Sequence, residues 1–200
     1  MNSIGQLSLD SGTASSMMPE LIMLLGLIAI VVVPNLGDAK FRLPLTSVRV
    51  PVLLGGSRFE LTNDPRMPNR ISNLTFSLAL LSSLLLISES PSEVGGILVV
   101  DSFSRLFSTM FLAALLLVSI ATTHRLPAKT NAHIPKESDS ESVFDRKISI
   151  LIDNRRQVDF YILLIMVGLG MTMMTMATNL FMLIVCIELA SLSTLSLIHI

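Results

Sequence analysis

The stretch NLFMLIVCIELASLSTLSLIHI, residues 179–200, contains one acidic residue, Glu188, in an otherwise uncharged and mostly apolar run. Roughly 20 predominantly apolar residues are enough to cross a bilayer as an α-helix, so the run predicts a transmembrane helix. Counted from Asn179 at about 1.5 Å per residue, Glu188 lies about 14 Å along this helix. The sequence therefore places a carboxyl group close to the middle of the membrane.

The composition indicates a membrane protein throughout. The chain has 200 residues, of which 51% are hydrophobic and 14% are charged, and its mean hydropathy is +0.71. A soluble domain carries about a quarter charged residues, so this chain has far fewer charges than a water-soluble protein. The net charge of -1 argues against a nucleic-acid partner. Cys186 is the only cysteine, which excludes an intrachain disulfide and an iron–sulfur cluster, since such a cluster needs about four cysteine ligands. No metal site is expected.

Five apolar runs predict an all-α polytopic membrane protein with about five transmembrane helices in a single membrane domain, residues 1–200. Two long polar loops, 36–69 and 124–157, connect the predicted helices. The part of the first loop at 43–56 is more apolar than a free loop needs to be. It packs against a neighbouring subunit or the membrane surface, or it forms a local hairpin. The predicted spans are about 18–35, 70–88, 97–123, 158–177 and 179–199.

The basic residues predict the orientation. Of the fourteen lysines and arginines, six lie in residues 36–70 and seven in residues 124–157. Basic loops stay on the side from which a membrane protein is inserted. Both long loops are therefore expected inside, with the N-terminus outside and the C-terminus inside. Removing the second or the third span would put the two basic loops on opposite sides of the membrane.

Several residues have expected structural roles. Glu20 lies in the first turn of the first predicted helix, where the helix dipole favours a negative charge. Asp101 and Arg105 are separated by four residues, and this spacing predicts a local ion pair at the outer surface. Gly168 and Gly170 lack the third glycine and the strand of a dinucleotide site. They are expected to let two helices pack closely.

Glu188 needs a partner, because a central ionised residue costs roughly 2.5–3.5 kcal/mol to insert. The other predicted spans contain no lysine, and Arg105 lies near the outer end of its span. Either Glu188 is protonated and hydrogen-bonded, or its counter-charge belongs to another chain. Ser191 lies three residues after Glu188 on the same helical face, and with Ser193 it predicts a polar seam.

Three stretches carry a resemblance to a known family. They are MMPELIMLLGLIAIVVV (17–33), VDSFSRLFSTMFLAALLLV (100–118) and DFYILLIMVGLGMTMMTMATNLFMLIVCIELASLS (159–193). They resemble the first, third, fourth and fifth helices of the antiporter-like subunits of respiratory complex I (NADH:ubiquinone oxidoreductase), most closely the subunit 2 branch. The chain departs from the family in its long first loop, in Leu195 where an aromatic residue is common, and in ending after the fifth of about fourteen helices.

The resemblance implies a proton-translocating module in the membrane arm of complex I, in the mitochondrial inner membrane. In this family a glutamate on the fifth helix pairs with a lysine on the seventh, and Glu188 matches that glutamate as a proton relay. The family binds no electron carrier, so NADH, FMN, iron–sulfur clusters and ubiquinone belong to other subunits. The implied partners are a companion chain with the remaining helices of a split subunit, other membrane-arm subunits and the lipid bilayer. The N-terminus is expected in the intermembrane space and the C-terminus on the matrix side.

Three alternatives remain open. A plain truncation would also end the chain after the fifth helix. A related cation/proton antiporter or membrane hydrogenase would use the same glutamate without a quinone-reducing arm. A non-pumping structural subunit would keep the fold and tolerate replacement of Glu188.

Overall fold

The structure is a computed structural model, and it describes residues 11–33, 36–42, 49–53, 67–125 and 140–199. The described chain is mostly helical, as the composition predicts for an all-α membrane protein. The elements are α1 (Ser11–Ser16), α2 (Met18–Val32), β1 (Leu36–Arg42), β2 (Arg49–Leu53), α3 (Met67–Leu85), β3 (Ser92–Val94), β4 (Leu98–Val100), α4 (Ser102–Arg125), α5 (Ser140–Met176) and α6 (Leu180–His199).

Three helical segments are long and apolar enough to cross a membrane: Ser102–Thr122, Gln157–Met176 and Leu180–His199. They correspond to the third, fourth and fifth predicted spans. The first predicted span is the apolar but shorter helix α2, which has 15 residues. The second is α3, which has 19 residues and is diluted by serine, threonine and asparagine.

Helix α3 carries its polar residues on the inside. Ser72, Thr75 and Ser83 are buried, whereas Leu74 and Leu81 are 61% and 54% exposed. The Ser83 hydroxyl lies 2.7 Å from the Thr109 hydroxyl on α4, and the Ser72 hydroxyl lies 3.3 Å from that of Ser119. Small hydroxylated residues hold helices together in this way when water is absent outside the bundle. The low hydropathy of α3 is thus largely an effect of its inward face, and its outward face is apolar apart from the exposed Arg70 and Ser77.

Helices α2, α3, α4 and α5 share one hydrophobic core. Its middle layer surrounds Gly168 of α5, because a Cβ there would lie 3.0 Å from Leu115, 3.4 Å from Met23 and 3.4 Å from Phe76. Helix α6 packs mainly on α5. The buried residues of this core are Met23, Ile30, Phe76, Ala79, Leu112, Leu115, Tyr161, Leu164, Ile165 and Leu169.

A small β-hairpin covers one end of the bundle. Strand β3 pairs with β4, and the intervening Gly95 and Gly96 have φ values of 62° and 70°, a conformation that favours glycine. The backbone N–H of Thr178, between α5 and α6, donates to the carbonyl of Ile97 at 3.1 Å. Because Met17 packs against the same cluster as Leu98 and Met176, the start of α2 also lies at this end.

This hairpin corrects the predicted start of the third span. The sequence predicts a helix from residue 97, but residues 98–100 are strand β4 and the helix begins at Ser102. The strand takes these residues because they are β-branched or leucine and pair with β3 across a tight glycine turn. The described segments 11–17, 89–96 and 178–179, which contain no lysine or arginine, lie together at this end of the bundle.

Two differences concern the predicted long loops. Helix α5 begins at Ser140, so the second half of the loop 124–157 is helical. No proline or glycine occurs between Ser140 and Gly168, and nothing in the sequence interrupts the helix there. In the first loop, β1 pairs antiparallel with β2, so residues 49–53 of the apolar stretch 43–56 form one strand of a hairpin, and the rest of that stretch lies outside the described residues.

Candidate functional site

Glu188 lies on an open face of α6. It is the ninth of the helix's 20 residues and is exposed. Its neighbours one turn before and after, Ile184 and Leu192, are 50% and 62% exposed, and Leu195 is 57% exposed. Only 11% of the α6 span is buried, compared with 33% for the α4 span and 39% for the α5 span. The carboxylate therefore stands in an apolar surface that nothing in the described chain covers.

The contact between α5 and α6 fixes the height of Glu188. A Cβ on Gly170 would lie 2.9 Å from the backbone nitrogen of Ala190 and 3.0 Å from the carbonyl oxygen of Cys186. Gly170 therefore lies level with residues 186–190 and lets the two helix backbones approach closely, as predicted for this glycine pair. Gly168, two residues away, belongs to the apolar middle layer. Glu188 thus lies at mid-height, on the side of α6 that faces away from α5.

The predicted polar seam is split between two faces. Ser191 shares the exposed face of Glu188, and its hydroxyl donates to the backbone carbonyl of Glu188 at 3.2 Å. Ser193 is 5% exposed and belongs to the buried face. Residues two apart on a helix point in different directions, so Ser193 does not continue a seam that contains Glu188. Because the Ser191 hydroxyl donates its hydrogen to the backbone carbonyl, it does not donate to the Glu188 carboxylate, which can therefore bind a partner.

The predicted ion pair between Asp101 and Arg105 is wrong. Asp101 is the N-cap of α4, and its Oδ1 accepts the backbone N–H of Ser104 at 2.7 Å. The Ser104 hydroxyl in turn accepts the backbone N–H of Asp101 at 2.9 Å. This reciprocal capping box holds the carboxylate at the helix start, whereas the guanidinium of Arg105 lies 3.9 Å from the carboxylate of Glu89.

Arg105 and Glu20 form a second cluster of charged groups, at the hairpin end of the bundle. They are 2% and 4% exposed. Neither oxygen of the Glu20 carboxylate and none of the guanidinium nitrogens of Arg105 has a hydrogen-bond partner among the described residues. Glu20 is in the first turn of its helix, as predicted, but it is buried, which the helix-dipole argument does not anticipate.

Pairs of hydrogen-bonding side chains occupy both ends of the bundle interior, whereas the buried Thr75 near the middle bonds only to its own helix backbone among the described contacts. At the hairpin end, the Ser108 and Thr175 hydroxyls lie 3.1 Å apart. At the other end, the Thr122 hydroxyl lies 3.4 Å from that of Tyr161. Between them is the apolar layer around Gly168, with fully buried Met23 and Phe76. The described bundle therefore has no continuous polar path through its centre, and the mid-height carboxylate lies outside it.

Sequence reasoning missed Glu89 and Ser104. The spacing of Asp101 and Ser104, three residues apart before an apolar run, is a capping-box pattern that was available in the sequence. Glu89 carries no comparable signal.

Comparison with protein-family models, with curated proteins and with solved structures gives no match for this chain.

Proposed function

We propose that this chain is a membrane-arm subunit of a respiratory complex I, a proton-translocating NADH:ubiquinone reductase, and that α6 supplies half of one proton-translocation site. The observation that carries the proposal is the exposed Glu188 at mid-height on an apolar helix face. The redox centres and ubiquinone belong to other subunits, and this chain contributes a carboxylate that binds and releases a proton.

The energetic cost of an ionised carboxylate at the membrane centre supports a partner for Glu188 on another polypeptide. An ionised side chain at the membrane centre costs roughly 2.5–3.5 kcal/mol unless a base or water stabilises it. The spans Ser102–Thr122, Gln157–Met176 and Leu180–His199 contain one lysine or arginine, Arg105. Arg105 is buried at the hairpin end of the bundle, whereas Glu188 lies at mid-height on the exposed face of α6. A helix with a lysine at the height of Glu188, from a companion chain, would complete the pair and cover the apolar surface.

The apolar middle layer supports a proton path along the outer face of α6. Proton transfer needs titratable side chains or water within hydrogen-bond reach of one another. The layer around Met23, Phe76 and Gly168 offers none. Helices α2–α5 then serve as a rigid support that holds Glu188 at its height, and the path forms between α6 and the covering helices.

The proposed topology has five spans, with α2 and α3 crossing the membrane beside α4, α5 and α6. Its support is that α2 and α3 share the core of α4 and α5, and that both expose apolar faces. The described contacts also bring the three segments without lysine or arginine to one end of the bundle. We place this end in the intermembrane space and the basic loops in the matrix, with the chain in the mitochondrial inner membrane.

Two other functions make different predictions for the same residue. A cation/proton antiporter or hydrogenase subunit would use Glu188 without NADH or ubiquinone. A structural subunit would use the α2–α5 bundle as a scaffold and would not need a titrating group at position 188. Both are separated from the proposal by measuring proton transfer that depends on NADH oxidation.

The test is Glu188→Gln, which keeps the shape and removes the titrating group. The matched control is Glu93→Gln, the same change at an exposed position of the β3–β4 hairpin. At equal assembly, the first variant is expected to move fewer protons per NADH oxidised by ubiquinone. Oxidation of NADH by an artificial acceptor at the peripheral arm persists, and the control behaves as the parent. Parental proton transfer in Glu188→Gln would refute the relay.

A further inference from the structure

A groove between α2 and α3 is open to the membrane side of the bundle. Its volume is about 430 Å³. Two of its lining residues carry polar side chains, Thr75 and Arg70, and the others are apolar or glycine. Its floor is at Gly26, where an added Cβ would meet the side chain of Thr75, so the two helices are in direct contact beneath it. The lining residues are Ile22, Leu25, Gly26, Ala29, Val33, Arg70, Ile71, Leu74, Thr75 and Leu78.

The groove is about as long as one leaflet of a bilayer. On α2 it extends from Ile22 to Val33, about 17 Å at 1.5 Å per residue, and on α3 from Arg70 to Leu78, about 12 Å. The hydrocarbon core of a bilayer is about 30 Å thick, so one leaflet is about 15 Å. The groove starts at the end of the bundle that bears the basic loops, where α2 ends and α3 begins, and it stops near mid-height.

Arg70 marks the open end of the groove. Its side chain is exposed and lines the groove together with Val33. A guanidinium presents several N–H donors in a planar fork that matches the oxygens of a phosphate group. Basic residues at a membrane surface attract anionic lipids, at about 1 kcal/mol for each lysine or arginine. An apolar channel one leaflet long matches the length of one acyl chain, and a basic residue at the headgroup level is complementary in charge to the lipid phosphate.

We propose that this groove binds one acyl chain of an anionic phospholipid from the leaflet on the basic-loop side, with the lipid phosphate on Arg70. A transmembrane helix from a neighbour is a poorer fit, because the groove itself is only one leaflet long and has a basic residue at its open end. The site is formed by α2 and α3 without α6 residues, and it stands independently of the proposed function.

The test is native mass spectrometry of the purified full-length protein in mild detergent, titrated with dioleoyl phosphatidylglycerol or with dioleoyl phosphatidylcholine. Arg70→Gln is expected to weaken phosphatidylglycerol binding about fivefold, which corresponds to about 1 kcal/mol, and to leave phosphatidylcholine unchanged. Arg125→Gln is the matched control, because it removes the same charge from the end of α4, which is not part of the groove. It is expected to bind both lipids as the parent does.

Ala29→Phe tests the apolar part of the groove, since the larger side chain fills it. This variant is expected to lose binding of both lipids. Folding is checked by the reactivity of Cys186, which is 2% exposed in the folded protein. Equal phosphatidylglycerol affinities for Arg70→Gln and Arg125→Gln would overturn the proposal. So would lipid binding that Ala29→Phe leaves unchanged. The loss of a protein subunit, and not of lipid, from the native assembly that carries Ala29→Phe would also overturn it.

Discussion

Replacing Gly170 by alanine should separate α6 from α5. The new Cβ would lie 2.9 Å from the Ala190 backbone nitrogen, 3.0 Å from the Ala190 Cβ and 3.0 Å from the Cys186 carbonyl oxygen. Two of these atoms are backbone, so relief requires the whole of α6 to shift. Overpacking of a close contact typically costs 1–3 kcal/mol, and we expect about 2–3 kcal/mol here because no flexible side chain can move aside. Gly168→Ala meets the flexible end of Leu115 at 3.0 Å and should lose less.

The single cysteine provides the assay. Cys186 is buried between α5 and α6, and its thiol reacts with a fluorogenic maleimide only when these helices separate or unfold. Heating the detergent-solubilised protein with this reagent should give a midpoint that falls several degrees further for Gly170→Ala than for Gly168→Ala. A Gly170→Ala midpoint equal to that of the parent, with the thiol still protected, would refute the close backbone contact and with it the assigned height of Glu188.

Three further predictions concern the hairpin end and the topology. Arg105→Met should lower the thermal midpoint by no more than the equivalent of about 1 kcal/mol, because the carboxylate paired with Arg105, that of Glu89, is exposed and lies 3.9 Å away; a loss of several kcal/mol would show that Arg105 stabilises the bundle through more than this pair. Hydrogen bonds from Ser104 lower the pKa of Asp101. The Asp101 cap therefore stabilises the protein above the unfolded pKa of about 3.9, and this stabilisation is lost as the pH falls through the lower folded pKa. Asp101→Asn should reduce the drop in thermal midpoint between pH 7 and pH 3, and an unchanged drop would contradict the cap. In a cysteine-free background, Ser138→Cys should react with an impermeant thiol reagent only from the matrix side and Ser92→Cys only from the other side, whereas labelling of both from one side would refute five spans.

The sequence predicts the helices well because an apolar run of about twenty residues has few other stable structures. The third, fourth and fifth spans are apparent from composition alone, and the structure contains all three. The start of the third span is wrong by five residues, since its first apolar residues belong to strand β4, and a short apolar run does not distinguish strand from helix. Likewise, α5 continues into a charged stretch that looks like a loop, because charged residues are common on helices outside the membrane.

Partners of charged residues are less predictable than the helices. The four-residue spacing of Asp101 and Arg105 favours a pair, but the Asp101 carboxylate accepts a hydrogen bond from Ser104 and the Arg105 guanidinium lies 3.9 Å from the Glu89 carboxylate. These alternatives lie on other elements, and only the tertiary fold brings them together. The depth of Glu188 follows from residue counting, whereas its exposure on the face away from α5 depends on how Gly170 seats α6, and this is a property of the packed structure.

The central claim is that another polypeptide covers the open face of α6 and brings a lysine to Glu188. The most direct measurement replaces Leu192, one turn from Glu188 on the same face, with a photo-crosslinking amino acid in the native assembly. The attached peptide is then sequenced, and a crosslinker at the buried Ser193 serves as the control. We expect one major adduct from Leu192, a transmembrane segment of a different polypeptide with a lysine near its middle, and no such adduct from Ser193. Adducts with lipid alone, or with a segment that has no basic residue at that depth, would contradict it.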